Sequence, residues 1–178
     1  METMSVPAIS VTPAPVQLRP AFEQLVQLYL HDLSAVGGWD VGDDGAFRNS
    51  VLDGCWSEPK RHPHVIRVGG VLAGFAIVDR TSGAADDDDQ VIWDMAEFFI
   101  LRRWRRSGVG RAAAAQLLSL FPGRWEIRPF PGYLPASRFW EVVVDVITDG
   151  ASALGSCRAT AGDQRPVLQL TVADAARD

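Results

Sequence analysis

Arg102, Arg103, Arg105, Arg106 and Arg111 surround a Gly108-Val109-Gly110 step within WDMAEFFILRRWRRSGVGRAAAAQLLSLF, residues 93–121. Those residue types in that order can grip an anion. The apolar run before the arginines reads as a strand and the alanine-rich run after the glycines as a helix, whose first N–H groups have no intrahelical partner. Aligned peptide dipoles add partial positive charge at that end, and phosphates bind there readily. Glycine lets a phosphate approach the main chain closely, and arginine adds bidentate contacts to its oxygens. An isolated basic run would be an ordinary solvated surface. Its coupling to a strand and to a helix-opening Gly-x-Gly points to a phosphate-bearing ligand. Two carboxylates, Asp94 and Glu97, lie in the strand feeding this turn. Their odd separation puts them on opposite faces of a regular strand unless a bulge intervenes. Either face is apolar enough to raise a carboxyl pKa, as a general base requires.

The elements that must position these groups follow from periodicity. Residues 16–19 are expected as a first short strand, and AFEQLVQLYLHDLS then places Phe22, Leu25, Val26, Tyr29, Leu30 and Leu33 at helical spacing. Gly37, Gly38, Gly42 and Gly45 break that pattern, with Asp43 or Asp44 expected to cap a second short helix running toward Leu52. HVIRV and VLAGFAIVD flank Gly69-Gly70, a hairpin signature. Four consecutive aspartates mark 81–90 as an exposed loop leading to a strand at 91–101. A helix over 109–121 stops at Pro122-Gly123, RWEIRPF reads as a strand, ASRFWEVVV as a short helix, and 144–148 and 167–172 as β-rich stretches. The order is β-α-α-β-β-β-α-β-α-β-β. Residues 1–14 are expected as a flexible leader and 15–178 as one domain.

Composition bounds the function. A chain of 178 residues with 47% hydrophobic and 22% charged residues is an ordinary globular protein long enough to bury a core. No apolar run approaches the roughly 20 residues that span a bilayer, so no membrane partner is expected. The net charge of -5, with basic charge concentrated in one turn, disfavours nucleic acid and suits a small anionic ligand. Cys55 and Cys157 share no metal or redox spacing, and the N-terminus lacks the features of a secretory signal, so a reducing cytoplasm is expected. His31, His62 and His64 lack ligand spacing, and no metal is expected.

Gly108-x-Gly110-x-x-Ala113, with Glu126 downstream, also fits a dinucleotide fingerprint. In that fold the glycine turn follows its strand almost at once, whereas 102–107 intervene here; no Gly-Lys-Ser/Thr of a phosphate loop is present either. Arg105-Arg106-Ser107-Gly108-Val109-Gly110 instead matches Arg/Gln-x-x-Gly-x-Gly/Ala, and from about residue 16 to 172 the chain resembles the GNAT superfamily of acyl-CoA-dependent N-acyltransferases. AEFFILRRWRRSGVGR, GRWEI and PASRFW are similar to a bacterial subgroup of acetyltransferases of that family.

The resemblance implies an α/β GNAT fold, a mixed and mostly antiparallel sheet of six to seven strands with about four helices. It implies acetyl-CoA as acyl donor, its pyrophosphate held by the turn of Arg105, Arg106, Ser107, Gly108, Val109, Gly110 and Arg111, and its pantetheine paired like an added strand with Phe99, Ile100 and Leu101. The acceptor would be a primary amine of a small molecule, acetylated by direct attack. Glu97 is the preferred base over Asp94, being nearer the expected carbonyl, and Tyr29 and Asp32 would face the acceptor. Asp40, Asp43, Asp44 and the aspartates at 86–89 could attract a cationic amine.

One departure stands out. Many members carry Tyr after the Phe of an Ala-x-x-Phe-Tyr helix to protonate the leaving sulfur, and Ala136-Ser137-Arg138-Phe139-Trp140 places an indole there. Tyr133, where an Asn often stands, could supply a hydroxyl instead. The missing tyrosine keeps open a non-catalytic acyl-CoA sensor or interaction module. A peptide N-terminal acetyltransferase would need an extended groove. The tail strands offer a surface for a homodimer.

Overall fold

In the computed structural model, which describes residues 7–82, 91–148 and 167–173, six strands form one sheet in chain order. They are β1 (Ile9–Pro13), β2 (Arg61–Val68), β3 (Val71–Ser82), β4 (Val91–Ile100), β5 (Gly123–Ile127) and β6 (Leu168–Val172). Three α-helices pack on it: α1 (Arg19–Gly37), α2 (Val109–Leu120) and α3 (Leu134–Ile147). Every neighbouring pair is antiparallel except β4 and β5, which are parallel and joined through α2. Among the described residues no helix is long and apolar enough to cross a membrane.

Strand alternation divides the core between the two faces of the sheet. Phe75, Ile77 and Phe99 pack with Phe22, Leu25 and Val26 of α1 on one face. Val78, Met95, Trp125 and Ile127 pack with Leu117 and Leu118 of α2 and with Trp140 and Val144 of α3 on the other. The helix stripes are those the spacing predicts. Gly38, with φ of 67°, ends α1 by donating its N–H to the Ser34 carbonyl at 2.8 Å, a left-handed stop that glycine permits. The β2–β3 hairpin turns on Gly69 and Gly70, both at positive φ.

Several elements differ from the sequence reading. The first strand lies at Ile9–Pro13, inside the expected leader, because Ile9 and Val11 alternate onto the α2 side of the core; residues 16–18 form a 3-10 turn instead. The helix expected toward Leu52 is absent, and 39–60 runs as loops and turns. Gln27 of α1 holds that segment by both donating to the Phe47 carbonyl and accepting from the Phe47 N–H, which diverts the backbone groups a helix would use. The expected strand at 144–148 is instead the last part of α3. Trp140, Val143, Val144 and Ile147 occupy one helical stripe against the core, and that burial overrides the β preference of the valines. Thr81 and Ser82 belong to β3, while the remainder of the acidic loop, 83–90, and the segment with Cys157 lie outside the described residues.

The parallel β4–β5 pairing is short. Ile92, Trp93 and Asp94 pair with Arg124, Trp125 and Glu126, and there it ends. Pro129 and Pro131 follow on the β5 side and have no N–H to extend a ladder. The strands part, leaving the β5-facing edge of β4 open from Met95 onward.

Candidate functional site

The open edge of β4 leads directly to the glycine turn. Arg106 has φ of 62° and Gly108 φ of 85°, so two left-handed residues fold the chain back between the strand and α2. Among the described residues no side chain caps the first amides of α2, and no acid stands in its first turn. The leading N–H groups of the helix therefore keep their positive potential for an anion. Space beside Gly108 is open, whereas a Cβ on Gly110 would lie 3.1 Å from the Phe139 ring. Gly110 thus serves close packing of α3 as well as the turn. Ser107 donates its hydroxyl to the Trp104 carbonyl at 2.8 Å.

The arginines of the turn are engaged differently, and Arg103 lies over the Trp104 ring. Arg105 donates its Nε to the Ile100 carbonyl at 2.7 Å and its Nη2 to Asp32 Oδ2, with its guanidinium 5.4 Å from the centre of the Phe99 ring. Arg102 donates Nε and Nη2 to Asp32 Oδ1 at 3.0 and 2.6 Å. Burial alone would raise the Asp32 carboxyl, but the hydrogen bonds from Arg105 and Arg102 outweigh it and hold the group below the ordinary carboxylate range. Asp32, expected at the acceptor, lines the cavity and pairs with both arginines. Arg105, Arg106 and Arg111 all line the cavity, together with Arg138 of α3.

That cavity, about 950 Å³, reaches from Gly108 and Gly110 along Phe98, Phe99 and Ile100 to Arg128 and Phe130, where β4 and β5 part. The register sharpens which main-chain groups face it. Leu101 donates its N–H to the Ala73 carbonyl at 2.9 Å. The alternation of an antiparallel ladder then turns Phe98 and Ile100, not Phe99 and Leu101, toward the open side.

The carboxylates meet on one face. Ile77 pairs with Glu97 but Val78 pairs with Met95, so Ala96 is an extra residue in β4. Because Phe75, Ile77 and Asp79 share a face of β3, their partners Phe99, Glu97 and Asp94 share the same face of β4. The bulge thereby brings together two acids that a regular strand would separate. Burial pushes the Glu97 carboxyl up, against a hydrogen bond from Tyr29 and the charge of Arg61. Tyr29 is wedged between Phe75 and Phe99, and burial first, then the charge of Glu97, pushes its phenol well above its ordinary range. Asp94 pairs with Arg128 at 3.1 Å, and Arg128 also pairs with Glu126.

Sequence reasoning missed the row to which Asp94 belongs. Arg61, Asp79, Asp94, Glu126 and Gln169 are successive cross-strand partners across five strands. They are widely spaced in the chain, and no local signal announces their register.

Trp140 is 5% exposed and packs on Phe98 and Phe139. It is core, and no hydroxyl stands at that position. The chain has two tyrosines, Tyr29 and Tyr133, and both line the cavity. Tyr133 sits at the start of α3 and donates its N–H to the Phe130 carbonyl at 3.1 Å. His62 and His64 belong to an aromatic cluster with Phe121, away from these groups.

A mostly antiparallel sheet that splits beside a parallel pair, with a glycine-opened helix at the split, is the GNAT fold. Neither a protein-family model nor a curated protein sequence matches the chain. Solved structures do match in fold. An acetyltransferase from Thermus thermophilus superposes with a TM-score of 0.66 at 12% identity, over 95% of this chain and 100% of that one. A GNAT-family protein from Desulfovibrio desulfuricans gives 0.58 at 16% identity, over 93% and 100%. AAC(6')-Iy, holding the bisubstrate analogue CoA-S-monomethyl-acetylneamine, gives 0.54 at 12% identity, over 76% and 89%.

Proposed function

We propose that this protein is an acetyl-CoA-dependent N-acetyltransferase acting on a primary amine of a small molecule by direct transfer. One observation carries the reading: the uncapped amides that open α2 and the open edge of β4 belong to one cavity, with Glu97 on the strand that forms its wall. A ligand with a phosphate at one end and an amide-bearing arm at the other matches that continuity. Acetyl-CoA supplies the activated acetyl group as a thioester.

The residues divide the work accordingly. The N–H groups from Gly108 to Arg111, with Arg106 and Arg111, receive the pyrophosphate. The main chain of Phe98, and the N–H of Ile100, pair with the pantetheine amides in the manner of an added strand. Glu97, raised by burial, accepts the proton of the acceptor's ammonium, and Tyr133 returns one to the departing thiolate. Holding amine and thioester together supplies much of the remaining rate. The cross-strand row sets three carboxylates, Asp79, Asp94 and Glu126, against two guanidinium groups, Arg61 and Arg128, and that surplus of negative charge favours a cationic acceptor nearby.

The core position of Trp140 favours a second reading, a GNAT-fold module that binds acyl-CoA without turnover. Release of CoA thiol from acetyl-CoA over a broad panel of amines, beside direct binding of acetyl-CoA, separates the two. Turnover above background establishes the enzyme; binding without turnover establishes the module. Absence of binding, with Gly108→Glu changing nothing, defeats both.

A further inference from the structure

Asp32 lies far in sequence from the phosphate turn, yet its carboxylate is where that turn is tied down. Its side chain is 8% exposed, and each oxygen accepts from a different arginine of the segment between β4 and α2. Arg105 continues the connection inward to the Ile100 carbonyl, the last residue of the open strand edge. A continuous path of hydrogen bonds thus runs from α1, through Asp32 and Arg105, to the point where β4 becomes the turn. Arg106, held at a positive φ that is unfavourable for a non-glycine residue, follows immediately. Something outside the turn must hold that conformation, and Asp32 is the buried anchor that reaches it.

We infer that Asp32 is a positioning residue of the donor site: by fixing Arg102 and Arg105 against α1 it sets the backbone of residues 105–108 so that the amides opening α2 converge. This rests on the acetyl-CoA reading for the identity of the ligand, but the ordering of the turn does not. It also gives Arg105 the role of a strut in place of a direct phosphate contact. A carboxylate with two guanidinium partners orients both through charge-assisted bonds, and removing its charge leaves Arg105, whose side chain is 32% exposed, without its counter-charge.

The test compares the full chain with Asp32→Asn and with Arg102→Gln, whose side chain is 73% exposed and whose loss leaves the core untouched. Two quantities are read: acetyl-CoA affinity by titration calorimetry, and amide hydrogen exchange of the ligand-free proteins. Asp32→Asn is expected to weaken acetyl-CoA binding about tenfold and Arg102→Gln about threefold, a loss of local order set against the energy of a charged pair. Exchange should quicken at residues 105–112 and stay unchanged in the β2–β3 hairpin. Unchanged affinity and unchanged turn exchange in both variants overturn the inference, and leave Asp32 to an acceptor contact. Should Asp32→Asn fail to fold, Arg102→Gln alone decides by the same two measurements. If the parent protein binds no acetyl-CoA, the proposed activity fails, and the exchange pattern still decides whether Asp32 holds the turn.

Discussion

Tyr29, on α1, is wedged between Phe75 and Phe99, where its phenol and the carboxyl of Glu97, on β4, shift each other's ionisation. A phenol kept protonated by burial can donate to the ionised carboxylate, which favours the basic form of Glu97 and partly offsets the effect of burial. The acids Asp79 and Asp94 and the cation Arg61 are the other charges that act on Glu97.

Glu97→Gln should lower kcat/KM by about a hundredfold or more, the range for loss of a general base. Because burial raises the Glu97 carboxyl, its basic form accumulates only as pH climbs past a value above the ordinary carboxylate range. The parent profile should therefore rise with pH across that window and the variant's should not. A variant retaining the same acidic limb would remove Glu97 from the mechanism.

Tyr133→Phe tests the proton return to sulfur. With Trp140 in the core, Tyr133 is the cavity hydroxyl that is not committed to Glu97. Its removal should lower kcat by about tenfold with the KM for acetyl-CoA unchanged. Equal kcat in the two proteins would assign the thiolate's proton to solvent.

Gly74→Ala should destabilise the sheet beneath the site. A Cβ there would stand 2.0 Å from the Phe99 carbonyl oxygen, a backbone atom that cannot rotate away. A loss of about 3 kcal/mol in denaturant unfolding is expected, at the upper end for an overpacked position. A shift within about 0.5 kcal/mol, typical of surface changes, would contradict the packing described.

His64 should make folding sensitive to acid. It is 4% exposed, and burial holds its pKa below the ordinary value of 6.5, against the carbonyl of His62 that its ring contacts. The unfolded chain then binds more protons below 6.5 than the folded one. Stability is complete above that pH and falls beneath it, by at most about 1.4 kcal/mol per unit from this group. Urea midpoints from pH 7.5 to 5 should decline less steeply for His64→Leu than for the parent.

The glycine turn that opens α2 was readable because its parts are adjacent in the chain. A strand, positively charged side chains, Gly108 and an alanine-rich helix are local features, and the amides that open a helix are unpaired wherever the helix starts. The β2–β3 hairpin was readable at Gly69-Gly70 for the same reason. The strand assigned to 144–148 was misread because β-branched residues fit a helix when Trp140, Val143, Val144 and Ile147 fall on one buried stripe. Which of Phe99, Ile100 and Leu101 turn their main-chain groups to the open edge could not be read locally: pairing of Leu101 with Ala73 leaves Ile100, with Phe98, facing that edge.

By itself the amino-acid sequence determined that a glycine-opened helix follows an apolar strand, that arginines crowd the junction, and that an indole occupies position 140. The tertiary structure alone decided what those groups face. Asp94 and Glu97 share a side because one extra residue, Ala96, enters β4 opposite a regular β3. Asp32 accepts from Arg102 and Arg105 because α1 lies against the turn. Each of these is a relation between segments distant in the chain, set by register and packing, and neither is encoded in any local run of residues.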